Sequence, residues 1–244
     1  MTAGNRLAQP VGELLSDWRV PPYPPGKQLQ GRFARLEPLR AELHAASLHA
    51  ANSRDADGRN WTYLPYGPFD GLDAYRSWME SYCVGRDPLF YAIVEQQSGL
   101  ALGVASYLRI TPANGCIELG HIHFSPPMQR TPAASEAVIL LMKHAFELGY
   151  RRCEWKCDAL NAPSRAAAER FGFSFEGIFR QAAVVKGRNR DTAWYAVIDG
   201  EWPELAAAFA RWLDPNNFDP AGQQRLTLSS LTAQVRSIHR EAGD

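Results

Sequence analysis

Apolar residues recur at Ala134, Ala137, Val138, Leu141, Ala145 and Leu148 with the spacing of one helix face, and Gly149 follows as a natural stop. The pattern predicts a helix over 132–148. On both sides the period shortens to that of strands. Residues 90–95 and 100–110 read as a hairpin joined by a Gln-Ser-Gly turn, and 115–124 as the next strand. Beyond the helix, 152–157 reads as a strand, 162–171 as an Ala-rich helix, and 173–185 with 191–198 as two long strands around Lys-Gly-Arg-Asn-Arg. Upstream, a short strand over 32–36 precedes a helix from about 38 to 51, an aromatic loop over 60–71 and a second helix from about 72 to 84.

The ends read differently. The first 30 residues contain Asp-Trp-Arg-Val-Pro-Pro-Tyr-Pro-Pro-Gly, which favours extended backbone and cannot form a helix, so they are expected to lie as an arm over the core. A helix over 201–213 closes the regular part. Residues 214–244 are polar with a weak helical pattern from about 226, suited to packing back or to self-association in a homodimer. The expected organisation is an arm (1–30), one domain (31–213) and a C-terminal extension (214–244).

Composition narrows the class. A chain of 244 residues, 45% hydrophobic and 21% charged, can bury one good core. Twenty-six basic residues balance 26 acidic ones, so no global field favours nucleic acid or an anionic membrane. No stretch approaches the roughly 20 apolar residues of a membrane span, and the first residues lack an apolar signal core. A cytoplasmic location is expected. The four cysteines are too few and too scattered for a disulfide framework, and free thiols are expected. Cys153 and Cys157 lie four strand residues apart, about 13 Å, too far for one metal ion. His121 and His123 lack a partner at ligand spacing, so no metal is expected.

Two segments carry candidate chemistry: Ile-Glu-Leu-Gly-His-Ile-His-Phe-Ser-Pro-Pro-Met-Gln-Arg-Thr-Pro-Ala-Ala (117–134) and Asn-Ala-Pro-Ser (161–164). A strand carrying a carboxylate enters a polar loop, and the loop opens a helix. The first turn of a helix has unpaired N–H groups and a dipole that favours anions, so such a loop suits pyrophosphate. Moving an acyl group from a thioester to an amine needs that cradle, and also a group to take the amine's proton, because an amine of pKa about 10.4 is protonated at neutral pH. Glu118 is the first candidate. A thiol of pKa about 8.5 leaves readily, so an acid such as Ser164 helps without being indispensable.

These segments, together with Lys-Gly-Arg-Asn-Arg-Asp-Thr-Ala-Trp-Tyr-Ala-Val (186–197), resemble the GNAT superfamily of N-acetyltransferases, most of all its ribosomal-protein N-terminal acetyltransferase (RimJ/RimL-like) branch. The resemblance covers about 31–213. It implies an α/β (α+β) GNAT fold, a mixed, strongly twisted sheet of about seven strands flanked by helices, with the fourth and fifth strands splayed around a pantetheine arm. It implies acetyl-CoA as co-substrate and a small-molecule or peptide amine as acceptor. Backbone groups of Ile122, His123 and Phe124 would pair with pantetheine or polarise the thioester. Gln129, Arg130, Thr131, Ala133 and Ala134 would hold pyrophosphate, Asn161 would meet the pantetheine amide, and Ser164 would lie near the sulfur. Glu118 would be the base, directly or through water. The loop between the first two helices would border the acceptor, making Trp61 and Tyr66 candidate substrate contacts. A succinyl donor would need a cation such as Arg180, and a non-catalytic acyl-CoA sensor is the alternative from another class.

Two positions depart from the family pattern. Pro132 replaces a loop glycine and supplies no N–H, although proline is well placed at the first position of a helix. Ala168 stands where many relatives carry a tyrosine acid. Strand phase adds an independent expectation. With a period of two, Glu118 shares a face with Gly120 and Ile122, whereas His121 and His123 face the other way. A bulge near Gly120 would bring Glu118 and His121 to one side, and His121 would then be an alternative base or substrate contact.

Overall fold

The computed structural model describes residues 3, 4, 7 and 9–241. Met1, Thr2, Asn5, Arg6 and Ala8 of the expected arm, and 242–244 of the extension, lie outside the described residues. In chain order the elements are β1 (Leu29–Gln30), β2 (Ala34–Pro38), α1 (Ala41–Asn52), α2 (Leu72–Tyr82), β3 (Leu89–Glu95), β4 (Ala101–Thr111) and β5 (Cys116–Phe124). Then follow α3 (Pro132–Glu147), β6 (Arg152–Asp158), α4 (Ala162–Arg170), β7 (Ser174–Val185), β8 (Arg188–Ile198), α5 (Trp202–Leu213) and α6 (Leu228–Glu241).

The main sheet has eight strands in the order β1-β2-β3-β4-β5-β6-β8-β7. Every neighbouring pair is antiparallel except β5 and β6, which run parallel through the α3 crossover. The eighth strand beyond the expected seven is β1, two residues contributed by the Pro-rich arm. Helices α1 and α2 cover one face around Leu48, Tyr75, Met79 and Val104. Helices α3, α4, α5 and α6 cover the other around Leu119, Leu141, Trp155, Phe209 and Leu231. The strands at the centre are buried on both faces, which is why β3 and β4 read as near-continuous apolar runs.

Two boundaries differ from expectation for local reasons. Helix α1 begins at Ala41 because Pro38 still pairs with Tyr91 in the sheet, and the Arg40 N–H donates to His44 Nδ1 at 3.0 Å. The last hairpin turns on Lys186 and Gly187 alone, with φ of 48° and 72°. Two consecutive left-handed residues suit a two-residue hairpin turn, so β8 resumes at Arg188, three residues early. The C-terminal extension packs back: Leu228, Leu231 and Val235 are buried, and Thr232 Oγ1 donates to the Arg170 carbonyl at 3.0 Å. Trp212 is buried against Phe218 and Trp202 stacks on Phe146, so both are packing residues within the chain.

The arm stays free of helix over its described residues and seats Pro21 and Pro24 in buried positions. It joins the sheet through β1, and the segment just after it is tied to α3 by Glu136. This buried carboxylate on the first turns of α3 accepts the N–H groups of Arg32, Phe33 and Ala34 at 2.8, 2.6 and 2.8 Å. A Cβ at Gly31 would lie 2.5 Å from the same carboxylate, so only glycine passes there. One side chain thereby positions both β2 and the helix that follows the polar loop. Glu136→Ala strands three backbone donors, and each buried unsatisfied group costs about 1–3 kcal/mol. Urea unfolding is expected to show a loss of roughly 3 kcal/mol or more, and a loss below about 1 kcal/mol would remove Glu136 from this role.

Candidate active site

Strand β5 pairs with β4 in register up to Ser106 and Gly120, then resumes at Val104 and His123. Two residues, His121 and Ile122, oppose Ala105 alone, and His121 takes φ of 50°. This is the bulge that strand phase called for. It acts on both sides of β5. Pairing with β6 runs from Cys116 to Leu119 and ends there, although β5 continues to Phe124 and β6 to Asp158. The two parallel strands therefore splay. Between them lies a cavity of about 500 Å³, and Glu118, Gly120, His121, Ile122, Asn161 and Ser164 all line it.

A second bulge aims a partner at Glu118. Arg109, at φ 47°, and Ile110 donate their N–H groups to the Asp87 carboxylate at 2.8 and 3.0 Å. So displaced, the Arg109 guanidinium grips Glu118 with two bonds of 2.6 and 2.9 Å. Lys156 Nζ lies 3.0 Å from Glu118 Oε2 and 2.7 Å from Glu154 Oε2, and 3.6 Å above the Trp194 ring. Arg152 joins Glu154 to Glu176. Opposite charges thus alternate across four strands. The Glu118 and Lys156 side chains are only 3% and 5% exposed, so each depends on the other for compensation.

His121 and His123 diverge after the bulge. The His121 ring enters the cavity wall with Nδ1 3.0 Å from Tyr66 Oη. Burial, aided by the charges of Arg109 and Arg190, lowers its pKa to about 4. His123 stacks on Trp61 at 3.9 Å in the second core, where burial lowers its pKa to about 4 as well. Both imidazoles are therefore neutral near pH 7.

The Asn161 side chain caps α4 by accepting the Ser164 N–H at 3.1 Å, which leaves its amide donor free. Ser164 Oγ accepts the Trp155 Nε1–H at 3.0 Å, so its own proton can be given elsewhere. Ala168 is fully buried and offers no acid. In the loop before α3, Thr131 Oγ1 caps the helix by accepting the Ala134 N–H at 3.1 Å, and Pro132 follows at the first position. Met128, Gln129 and Thr131 N–H groups close turns on Ser125 and Met128. Gln129 Nε2 donates to Asn60 Oδ1 and to the Phe124 carbonyl, both at 3.0 Å. Arg130, at φ 61°, and Ala133 keep N–H groups without an acceptor among the described residues. Helix dipole, two donors and the Arg130 guanidinium make a smaller cradle than a glycine loop, yet one that fits a pyrophosphate.

The expected substrate contacts Trp61, Tyr66 and Arg180 fall outside the cavity lining, as do His123, Phe124 and the loop residues Gln129, Arg130, Thr131, Ala133 and Ala134. Trp61 is 5% exposed and stacks on His123, and Tyr66 hydrogen-bonds His121 at the cavity wall, while Tyr63, Leu64 and Pro65 of the same loop line the cavity. Arg180 lies with Phe179, Gln181 and Asp191 in a separate shallow hollow on the β7–β8 hairpin. Conversely, Arg59, Arg109, Lys156 and Arg190 line the cavity from positions that carry no expected site role. Among the described residues no cluster of three or more His, Cys, Asp or Glu is arranged for a metal, and no helix is long and apolar enough to cross a membrane.

Comparison with known proteins agrees with this geometry. The family model described as an acetyltransferase (GNAT) domain matches residues 34–174. A GCN5-related N-acetyltransferase from Brucella melitensis is 48% identical, covers 90% of this chain and all of its own, and superposes with a TM-score of 0.87. The chain belongs to the GNAT acetyltransferase family. Among curated proteins, the uncharacterized N-acetyltransferase YnaD of Bacillus subtilis is 24% identical over 165 residues, 67% of this chain and 95% of its own. RimL, a ribosomal L7/L12 α-N-protein acetyltransferase, shares the fold at 23% identity and a TM-score of 0.57, covering 70% of this chain and 93% of its own. As a GNAT member the chain is an acyl-CoA-dependent N-acetyltransferase, of a family whose enzymes use acetyl-CoA.

The two lowered imidazoles make stability depend on pH. An unfolded His titrates near 6.5, and in this GNAT fold both stay neutral down to about 4. The unfolded state binds protons first, so stability is complete above about pH 6.5 and falls as pH drops toward about 4, by roughly 1.4 kcal/mol per pH unit for each His. Urea titrations across that range should show this slope, reduced by about half in His123→Phe. A flat profile between pH 6.5 and 5 would contradict the burial of both rings.

Proposed function

We propose that this enzyme transfers acetyl from acetyl-CoA directly to a primary amine, of a small molecule or a peptide N-terminus, within a ternary complex, and that His121 receives the amine's proton. The observation that carries this reading is the bulge, which turns His121 into the cavity that Ser164 also lines. Glu118, the first candidate for base, already accepts from Arg109 twice and from Lys156, leaving about one of its roughly four lone-pair sites. Its role is to fix those cations. With Nδ1–H donating to Tyr66 Oη, the His121 Nε2 lone pair is the neutral acceptor.

The neutral amine attacks the thioester carbon, and the new bond acidifies its N–H, which passes to Nε2. The Ile122 backbone, released from pairing by the bulge, suits the developing oxyanion, a contribution of roughly 3–4 kcal/mol in acyl transfer. The C–S bond then breaks, and the thiolate takes a proton from Ser164 Oγ or water. Asn161 Nδ2 is available to the pantetheine amide, and Arg130 and Ala133 to the pyrophosphate. Arg180 lies outside the cavity, which gives a succinyl donor no support from that residue.

Thiol release from acetyl-CoA with a panel of amines tests the proposal. His121→Gln should lower kcat by about 10²- to 10⁴-fold, the usual worth of general base catalysis, with acetyl-CoA binding retained. The wild-type rate should show no limb near pH 6.5 and should rise with the fraction of neutral amine. Glu118→Gln should chiefly lower stability, by about 3 kcal/mol, the low end for a broken buried pair because Arg109 is half exposed. A His121→Gln enzyme within tenfold of wild type, beside a folded but inactive Glu118→Gln, would return the base to Glu118.

A further inference from the structure

Among the described residues, one cation of the cavity wall forms no ion pair. Arg59 pairs with Asp57, Arg109 with Glu118, and Lys156 with Glu118 and Glu154. Arg190 also lines the cavity, yet it forms no ion pair among the described residues, and its Nε is buried without a hydrogen-bond partner. Its charge is felt at both His121 and Cys157, which stand on the two splayed strands.

Among the described residues, none of the carboxylates nearby forms an ion pair with Arg190. Glu118 is shared as described. Asp158 Oδ1 accepts the Leu160 N–H at 2.9 Å. Asp191, next in sequence to Arg190, accepts the Gln181 N–H at 2.7 Å and the Asn189 side chain at 3.0 Å. Arg190 is also held in place. At the hairpin tip, Lys186 Nζ donates to the carbonyls of Trp61 and Gly67, each at 2.8 Å, tying β8 to the aromatic loop on the other side of the cavity. A guanidinium kept partly desolvated, on an anchored strand, beside the group that takes the amine's proton, lacks only an anion. Its planar fork matches a carboxylate.

We propose that Arg190 selects the acceptor by binding a carboxylate adjacent to the reacting amine, so that the favoured substrates are amino acids or peptides with an acidic residue next to the N-terminus. This rests on the amine-acetyltransferase reading above and adds the substrate class. The carboxylate has two possible sources, the amino acid's own or a neighbouring acidic side chain.

The test compares free amino acids with their C-terminal amides, and dipeptide amides carrying Glu or Gln at the second position. Each is measured by thiol release from acetyl-CoA and by calorimetric binding in the presence of CoA, in wild type, Arg190→Gln and Arg190→Lys. Wild type should prefer the acid member of at least one pair set by about tenfold or more, the scale of a charge-assisted hydrogen bond, expressed in KM. The first set reports the amino acid's own carboxylate, the second the side chain. Arg190→Gln should erase the acid-over-amide ratio in KM while acetyl-CoA binding is retained, and Arg190→Lys should keep part of that ratio. Equal kcat loss for acids and amides would overturn the proposal and place Arg190 on the thiolate instead. Acetylation of amides with no acid preference in rate or binding would also overturn it and leave the transferase reading intact. Acid-selective binding without thiol release in wild type would uphold the inference and sink the reading beneath it.

Discussion

One extra residue in β5 is the constraint on which the site depends. By setting His121 and Ile122 against a single residue of β4, the bulge reverses the side-chain phase, ends the pairing of β5 with β6 and opens a cavity between two parallel strands. Without it, Glu118 and His121 would face opposite sides of a continuous sheet. The left-handed φ of His121 costs about 1–3 kcal/mol for a non-glycine residue. The Tyr66 hydrogen bond and the packing of the ring against Phe90 help to offset that strain.

Electrostatics divides the cavity wall into two kinds of group. The alternating ladder from Arg109 to Glu176 is internally compensated, and it crosses the sheet where the strands are still paired. Such a ladder holds geometry. Outside it, and without an ion pair among the described residues, the cavity is lined by the neutral imidazole of His121, the Ser164 hydroxyl that accepts from Trp155, the Asn161 amide and Arg190.

The elements of the fold were legible because each carries a strong local signal: the helical period and Gly149 for α3, and strand-length apolar runs for β3 to β6. The bulge was legible too, through the incompatibility of strand phase with a shared cleft. What escaped depends on contacts between distant residues. Arg109 is swung onto Glu118 by Asp87, 22 residues upstream, and Lys186 is held by carbonyls more than 100 residues away. Trp61 and Tyr66 carry the same composition as pocket residues, and only the packing of α2 against their loop turns them inward. Arg180 and Arg190 sit on the same hairpin, and its irregular register, invisible in the residues themselves, sends one to the outer hollow and the other to the cavity.

Co-substrate binding would rest on a loop with few donors, because Pro132 supplies no N–H and the Thr131 side chain occupies the Ala134 N–H. The decisive measurement is the melting temperature with saturating acetyl-CoA and with CoA, each against adenosine diphosphate. A ligand that binds only the native state raises stability by mass action, about 2.7 kcal/mol at a hundredfold excess over Kd. The splayed cleft and the shortened cradle together predict a clear upward shift with acetyl-CoA and CoA that exceeds the shift with adenosine diphosphate. No shift with either, or one no larger than the nucleotide alone produces, would contradict the assignment of the β5–β6 cleft to the pantetheine arm.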